Sequence, residues 1–232
     1  MGASRRAVFH MRRVARRVWA GSVADMQIDF TKLSPRDAYG WMADAITPRP
    51  IAWVSTISAD GRTNLAPFSF FNGVTGNPPT LMFSAVNLRD GTKKDTVRNI
   101  EETGEFVVNL VSHALAEKMN ACAALLPYGE SEFEAFGIAS AAAGNVKALR
   151  VAEAPVAFEC TLHSIMRIGE GAGAANVVFG KIVAAQVSDA VLGAGGGIDA
   201  ALLDTVGRLG GEDYVTTRER FTLRRPDRPA KK

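Results

Sequence analysis

Residues 47–84, TPRPIAWVSTISADGRTNLAPFSFFNGVTGNPPTLMFS, combine two strand patterns, a hairpin turn and the start of a third strand. Residues 51–58 are rich in β-branched and aromatic side chains, and Gly61 lets the chain reverse because glycine tolerates a positive φ. The returning strand, residues 64–72, contains Pro67, which cannot donate a ladder hydrogen bond. The sequence therefore predicts that this strand lies at a sheet edge or is bulged at Pro67, where a bulge would open backbone groups to a ligand.

The segments on either side extend this pattern. Ser34 and Pro35 are typical of a helix start, so we expect a helix over residues 35–42 that ends before Pro48. Further strands are predicted at residues 80–85, 105–111, 155–168 and 176–187, helices at 92–103 and 113–124, a loop or short helix at 127–137, a surface connection at 139–151 and a helical turn at 199–203. Strands outnumber helices without a regular βαβ alternation, which predicts a mainly β fold, an antiparallel β-barrel with appended helices.

Composition indicates one folded domain between two basic ends. The 232 residues are 47% apolar and 22% charged, and the net charge is +3. Arginines cluster in the first 17 residues and basic residues again in the last nine. We therefore predict an Arg-rich extension over residues 1–25, a domain over 26–223 and a basic tail over 224–232. Because the domain between the ends carries no basic cluster, no nucleic-acid partner is expected.

The extension has two interpretations. Its apolar residues recur at helical spacing among arginines without acids, which is typical of an amphipathic organelle-targeting helix. The alternative is that Met26 is the natural start, and that the earlier residues are an unfolded arm or an upstream translation. We favour the alternative because the sequence that follows Met26 is an ordinary N-terminal lead-in.

Cysteine usage and hydropathy point to the cytoplasm. Cys122 and Cys160 form neither a close pair nor a metal-ligand spacing, and no secretory signal precedes them. No apolar run reaches the roughly 18 residues that a membrane-spanning helix needs. We therefore expect a cytoplasmic protein with no metal site and no membrane partner.

Motifs for covalent or metal-assisted chemistry are missing from the sequence. It contains no Walker loop, no HExxH, no Gly-x-Ser-x-Gly and no GxGxxG after a strand. His10, His113 and His163 are isolated, so solvent exposure or packing explains them better than catalysis. We predict no catalytic side chain.

The residues that remain suit a planar, phosphorylated ligand. Phe68, Phe70 and Phe71 offer aromatic surface, although core packing explains each of them equally well. The predicted helix start near residue 92 offers free N–H groups and a positive dipole end, and Lys93 and Lys94 add charge. Cations are disfavoured at that end unless an anion lies nearby, so the pattern indicates an anion site.

From about residue 33 to 223 the chain resembles the flavin reductase-like proteins, which have an FMN-binding split barrel. The resemblance rests on TPRPIAWVST, DGRTNLAPFSFFNGVTGNPPTLMFS, DGTKKDTVRNIEETGEFVVNLV, LAEKMNACAALLPYGESEFEAFGI, RVAEAPVAFEC and VGRLGGEDY. It implies a homodimer with FMN, or alternatively FAD, held non-covalently at the subunit interface. The cofactor-binding positions it implies are Ala66, Pro67, Phe68, Ser69 and Phe70 along the ring, Ser84, Asn87, Lys93, Asp95 and Thr96 near the ribityl chain and phosphate, Arg49 and Pro50 at the border, and Arg208 and Tyr214 in a late Gly-Gly loop.

The resemblance also implies an NAD(P)H:flavin oxidoreductase. Hydride would pass from NADH or NADPH to the flavin, and electrons would leave to a small-molecule or protein acceptor. The alternative is an FMN-binding electron carrier or flavin-storage module without NAD(P)H activity. A third interpretation, a haem or deazaflavin ligand, ranks last because no histidine stands out as an axial ligand. If Lys93 meets the phosphate, Lys93→Ala should weaken FMN binding more than riboflavin binding.

Overall fold

The computed structural model describes residues 26–226. The chain divides into two units, Met1–Leu33 and Ser34–Lys232. In the described part of the first unit, residues 26–33 contain one 3-10 turn, Phe30–Lys32, in which the Asp29 carboxylate accepts a hydrogen bond from the Thr31 amide. The predicted extension, residues 1–25, lies outside the described residues, as do residues 227–232 of the predicted basic tail. The predicted domain boundaries remain predictions.

The second unit contains twelve strands and five α-helices within its described residues. The strands are β1 (Arg49–Pro50), β2 (Ala52–Ile57), β3 (Thr63–Phe68), β4 (Phe71–Gly76), β5 (Pro79–Val86), β6 (Glu105–Leu110), β7 (Ser140–Ala141), β8 (Arg150–Val151), β9 (Val156–Ile168), β10 (Ala175–Val187), β11 (Val206–Arg208) and β12 (Tyr214–Thr216). The helices are α1 (Pro35–Ala45), α2 (Asp95–Thr103), α3 (Ala116–Ala121), α4 (Glu132–Ala135) and α5 (Ala200–Leu203), with 3-10 turns at His113–Leu115 and Asp189–Val191. A mainly β fold with appended helices is confirmed.

Seven strands form one antiparallel sheet that rolls on itself. Their order is β3-β2-β6-β9-β10-β5-β4, so the two edge strands, β3 and β4, are consecutive in the chain. Only Ser69 and Phe70 separate them, which requires the two edges to lie side by side. The Phe70 carbonyl accepts a hydrogen bond from the Ser84 amide on β5 at 2.8 Å. The sheet is therefore a barrel with a seam between β3 and β4, and a separate sheet, β1-β11-β12, lies at its side.

Two buried clusters share β2. Val54 belongs with Phe83 and Phe106 to the cluster inside the barrel, whereas Trp53 belongs to a second cluster with Met119 of α3. Alternate residues of a strand point to opposite faces, so β2 is buried on both sides. This double burial explains why its sequence, AWVSTI, does not alternate between apolar and charged residues.

The structure corrects the predicted strand over residues 64–72. It breaks after Phe68, and β4 begins at Phe71 on the opposite sheet edge. The pairing of β2 with β3 is continuous from Ile57 with Thr63 to Ala52 with Phe68, so Pro67 causes no bulge. Of the two alternatives predicted for Pro67, the structure shows the edge position and not the bulge.

The helix predictions differ in their outcomes. The Ser34 cap is confirmed, since its hydroxyl accepts a hydrogen bond from the Asp37 amide at 3.2 Å. The helix predicted from residue 92 begins only at Asp95, because Lys94 is its extended N-cap residue. The predicted helix over 113–124 is a 3-10 turn followed by the short α3, and the predicted connection over 139–151 contains the β7–β8 ladder.

Gly180 lets the barrel interior close around Phe106. A Cβ at position 180 would lie 2.3 Å from Phe106 Cζ, and the Phe106 side chain is fully buried. Overpacking of this kind costs about 1–3 kcal/mol. We expect Gly180→Ala to lower the free energy of unfolding by that amount in urea denaturation. The double variant Gly180→Ala/Phe106→Leu should lose less unfolding free energy than the sum of the losses in the two single variants. A loss equal to that sum would contradict the steric explanation.

Candidate functional site

The outer edge of β3 presents backbone groups that no neighbouring strand uses. The Leu65 amide points away from β2 and donates to Glu132 Oε2 at 2.7 Å. Backbone groups alternate in direction along a strand, so the nitrogen of Pro67 points to the same outer side, where the missing N–H breaks no ladder hydrogen bond. The carbonyls of Leu65 and Pro67 face outward as well. This edge is the feature that a ligand with a polar rim can pair with.

Glu132 is the buried acid that covers this edge. Its side chain is 6% exposed, and burial raises the pKa of its carboxyl, with the charge of Asp95 adding to the effect and that of Lys94 opposing it. A raised pKa means that the folded state holds the proton more tightly than the unfolded state does. Stability is therefore expected to fall as the pH rises above the ordinary glutamate pKa, near 4.5.

Glu132→Gln should remove this pH dependence. The amide keeps an acceptor for Leu65 and cannot titrate, so its unfolding free energy should change less between pH 5 and pH 8 than that of the wild type. Urea denaturation at both pH values measures the difference. Glu134→Gln, an exposed acid on the same helix, should leave the wild-type pH dependence intact, and equal slopes for all three proteins would refute the assignment.

Two cavities flank the seam, and Ser69 lines both. The first, the Tyr214 cavity, has a volume of about 230 Å³ and is lined by Tyr39, Ile51, Pro67, Ser69, Met119, Asn120, Ala123, Arg208 and Tyr214. The second, the Ser84 cavity, has a volume of about 400 Å³ and is lined by Met42, Ile46, Pro48, Arg49, Pro50, Ser69, Phe70, Phe71, Asn72, Met82 and Ser84. Their shared residue sits where the chain crosses from β3 to β4.

Tyr214 and Arg208 form one wall of the Tyr214 cavity. The Arg208 guanidinium lies over the Tyr214 ring, 4.6 Å from its centre, and donates hydrogen bonds to the Tyr214 hydroxyl and the Gly211 carbonyl. The Tyr214 hydroxyl in turn donates to Asn120 Oδ1 at 2.9 Å. The late glycine loop is thus fixed against α3, and its aromatic ring faces the β3 edge.

Arg49 ties the elements around the Ser84 cavity together. Its side chain donates to the Ala43 carbonyl, to the Ile46 carbonyl at 2.7 Å and to the Leu209 carbonyl at 2.8 Å. Its Nε lies 3.4 Å from Ser69 Oγ, and the residue is only 4% exposed. Because its donors are used inside the protein, Arg49 acts as a positioning residue that joins the end of α1, the chain after β11 and the β3–β4 crossing.

Eight of the fourteen predicted cofactor-binding residues line these two cavities: Arg49, Pro50, Pro67, Ser69, Phe70, Ser84, Arg208 and Tyr214. The other six, Ala66, Phe68, Asn87, Lys93, Asp95 and Thr96, line neither. The side chains of Ala66 and Phe68 point into the barrel, where the Phe68 ring centre lies 5.0 Å from that of Phe83.

Three of these six residues hold the fold together locally. Thr96 is fully buried and accepts a hydrogen bond from Asn64 at 3.0 Å. Asn87 donates to the carbonyls of Gly91 and Gly171, both at 3.1 Å. Asp95 is partly buried, which raises the pKa of its carboxyl, and its Oδ1 lies 3.9 Å from Arg98 Nη1.

The two neighbouring lysines have different surroundings. Lys93 Nζ lies 2.6 and 2.8 Å from the carboxylate oxygens of Glu101, which also pairs with Arg167 at 2.7 Å. Lys94 is half-buried, which lowers the pKa of its ammonium, and this group lies 5.6 Å from the centre of the Phe68 ring. Within residues 26–226 the Lys94 ammonium has no ion pair. Lys94, which was not among the fourteen predicted residues, is therefore the better placed of the two cations to meet an anion.

The family is decided by a match over most of the chain. Residues 43–209 match the flavin reductase like domain. The chain belongs to the flavin reductase-like family. Membership places it among flavin-related oxidoreductases, and the resemblance that the sequence motifs indicated is confirmed. The matched range includes every residue that lines the Tyr214 and Ser84 cavities except Tyr39, Met42 and Tyr214.

Solved structures agree with this family. Nitrilotriacetate monooxygenase component B from Bacillus cereus is 33% identical with a TM-score of 0.82, covering 87% of this chain and all of that one. The 2-nitrobenzoate 2-nitroreductase of Pseudomonas fluorescens is 31% identical with a TM-score of 0.78, covering 87% and 96%. A protein from Shewanella frigidimarina described as a flavin reductase with a split-barrel domain is 24% identical with a TM-score of 0.74, covering 87% and 100%, and shares the fold. The predicted split barrel is confirmed.

Two features are absent from residues 26–226. No cluster of three or more His, Cys, Asp or Glu side chains in this range has a geometry that could hold a metal ion. In the same range, no helix has both the length and the apolar character needed to cross a membrane.

Proposed function

We propose that this family member is an NAD(P)H-dependent flavin oxidoreductase that holds FMN along the outer edge of β3. The observation that carries the proposal is the edge of β3, which no neighbouring strand covers and at which Pro67 and Ser69 line the two cavities. A flavin ring has a polar rim and an apolar plane. The carbonyls of this edge can contact the polar rim, and Tyr214 and Phe70 offer aromatic surface for the apolar plane.

Lys94 supports a cofactor with a phosphate. It is a half-buried ammonium without an ion pair among the described residues, close to the strand on which the ring would lie. A buried cation is costly unless a negative charge compensates it. The charge of Glu132 offsets part of this cost from beyond ion-pair distance. The phosphate of FMN would supply a closer negative charge, and FAD is the alternative that a titration with both cofactors distinguishes.

The chain's own residues bind and orient, and the bound flavin supplies the hydride and electron transfer. Among the described residues, neither the Tyr214 cavity nor the Ser84 cavity is lined by a histidine or a carboxylate. Neither cavity thus offers a histidine or a carboxylate as an acid or base. Arg49 and Ser69 hold the crossing between β3 and β4, and Tyr214 and Arg208 close the opposite side.

We further propose a homodimer with the flavin at its interface. The outer face of the sheet at β9, β10 and β5 carries the apolar cross-strand row Ile168–Ala175–Val86, and beside it Met166 and Val177 lie in one row with Ser84. Met166 and Ile168 are each 57% exposed. Antiparallel sheets normally carry polar residues on a solvated face, so a second copy is expected to cover this one. Ser84 places the face next to the Ser84 cavity.

Anaerobic reduction tests the enzyme proposal. The FMN-loaded protein is mixed with NADH or NADPH, and the flavin absorbance is followed. Bleaching of near-stoichiometric flavin within seconds supports the oxidoreductase, with electrons then passing to a small-molecule or protein acceptor. A protein that binds FMN, is reduced by dithionite and is bleached by neither nucleotide would instead be an electron carrier or a flavin-storage module.

A further inference from the structure

A third cavity, the Val206 cavity, lies between the barrel and the β11–β12 strands. Its volume is about 720 Å³, and its walls are mainly apolar, with Leu81, Leu110, Phe158, Ile182 and Val206 among the lining residues. It shares Pro48, Arg49, Pro50, Phe71 and Asn72 with the Ser84 cavity. An apolar space of this size suits bulky hydrophobic side chains, and it adjoins the proposed flavin site.

The C-terminal segment carries the side chains that match such a space. Glu219 and Arg220 line the cavity, and the residues that follow include Phe221 and Leu223, which are 86% and 82% exposed. Transfer of such side chains from water to an apolar site is favourable, so a partner surface is expected.

We propose that Phe221 and Leu223 of one subunit insert into the Val206 cavity of a second copy, and that the exchange is reciprocal. The inference rests on the homodimer in the proposed function. Phe221 directly follows a residue that lines its own subunit's cavity, yet its ring points into solvent, which favours a cavity in another chain. A two-fold axis then uses the same tail and the same cavity on both subunits, as an isologous interface requires.

The exchange makes each flavin site depend on the partner. Because Pro48, Arg49 and Pro50 line both the Val206 cavity and the Ser84 cavity, an inserted Phe221 ring would lie against the wall that positions Ser69. The tail of one subunit would therefore border the flavin site of the other. Dimer formation and flavin affinity should weaken together when the tail is altered.

Cross-linking between differently tagged chains tests the insertion. One chain carries Phe221→Cys, and the co-expressed second chain carries Val215→Cys, a half-exposed residue that lines the Val206 cavity. A short bismaleimide should link the two tagged chains. The native Cys122 and Cys160 are 2% and 0% exposed, so they should not compete. Arg225→Cys in place of Phe221→Cys is the matched control and should link at most weakly.

Each outcome decides the proposal. Linkage between the two tags supports it, whereas a dimer by light scattering without linkage overturns the insertion and leaves the proposed function intact. A chain with both cysteines that links only within itself also overturns it. A protein that binds FMN as a monomer overturns the homodimer and the insertion together.

A second pair of variants reads out the same contact without cross-linking. Phe221→Asp/Leu223→Asp should weaken dimerisation at least tenfold in sedimentation experiments, because the charges cannot enter an apolar cavity. Phe221→Leu/Leu223→Ile should keep the dimer. Unchanged dimerisation of the aspartate variant contradicts the proposal. Because Phe221 and Leu223 are exposed in the subunit, their substitution should not unfold it, so a weaker dimer would reflect the lost contact.

Discussion

Lys94→Gln is expected to weaken FMN binding by about 10- to 100-fold while leaving riboflavin binding nearly unchanged. A hydrogen bond to a charged group contributes about 1.5–3 kcal/mol, which corresponds to this range of affinity. Riboflavin lacks the phosphate, so it does not depend on the Lys94 ammonium. Fluorescence titrations with both ligands at low ionic strength measure the two dissociation constants, because screening weakens the attraction at high salt.

Lys93→Gln is the matched control for this prediction. The Lys93 ammonium is paired with Glu101, so its removal should change the affinity for FMN less than threefold. The family resemblance implies the opposite assignment, with Lys93 near the phosphate. A larger loss for Lys93→Gln than for Lys94→Gln would favour that assignment, and equal losses of FMN and riboflavin affinity in the Lys94 variant would show that Lys94 does not meet the phosphate.

Arg49→Met is expected to cause the largest loss of stability, about 3–5 kcal/mol. The methionine fills part of the space but leaves the carbonyls of Ile46 and Leu209 without their donor, and each unsatisfied buried group costs about 1–3 kcal/mol. For a chain of this length the melting temperature should fall by roughly 10 °C. Calorimetry or thermal circular dichroism measures the change.

Arg49→Lys separates positioning from charge. Lysine keeps the positive charge but cannot reach three separate carbonyls with a planar fork, so it should recover less than half of the lost stability. Flavin affinity should fall in parallel, because Arg49 holds Ser69 between the two cavities. Full recovery by lysine would show that the charge of Arg49, rather than its hydrogen-bond geometry, is what the fold needs.

The local sequence was sufficient to predict the start of α1 and the hairpin of β2 and β3. The Ser34 cap, the turn at Gly61 and the edge position of Pro67 each follow from the conformational limits of one or two residues. All three are present in the structure. Elements of this kind depend on few distant contacts, which is why they could be predicted.

The crossing from β3 to β4 could not be predicted in the same way. FSFFNGVTG is a continuous strand pattern, and its break at Ser69 depends on the sheet rolling until its edges meet. The contact between Phe70 and Ser84 that fixes this crossing joins segments with no local signal for each other. The local sequence indicates that these residues form strands. Which strands they pair with depends on how the whole barrel closes.

The candidate site shows the same division. Pro67, Ser69 and Tyr214 were predicted from the family resemblance, and the structure brings them to one cavity. The difference between Lys93 and Lys94 depends on Glu101, eight residues beyond Lys93, and on Arg167 from β9. Side chains next to each other in sequence thus acquire different roles through partners that the sequence pattern does not reveal.

Titration of the purified protein with FMN tests whether the β3 edge binds a flavin. With any co-purified flavin removed, we predict saturable binding of one FMN per chain, with a shift of the flavin absorbance bands and quenching of its fluorescence as the ring packs against Tyr214. Substitution of Lys94 should move the midpoint to higher FMN concentration. A protein that shows neither a spectral shift nor quenching at any FMN concentration would contradict the assignment of the β3 edge as a flavin site.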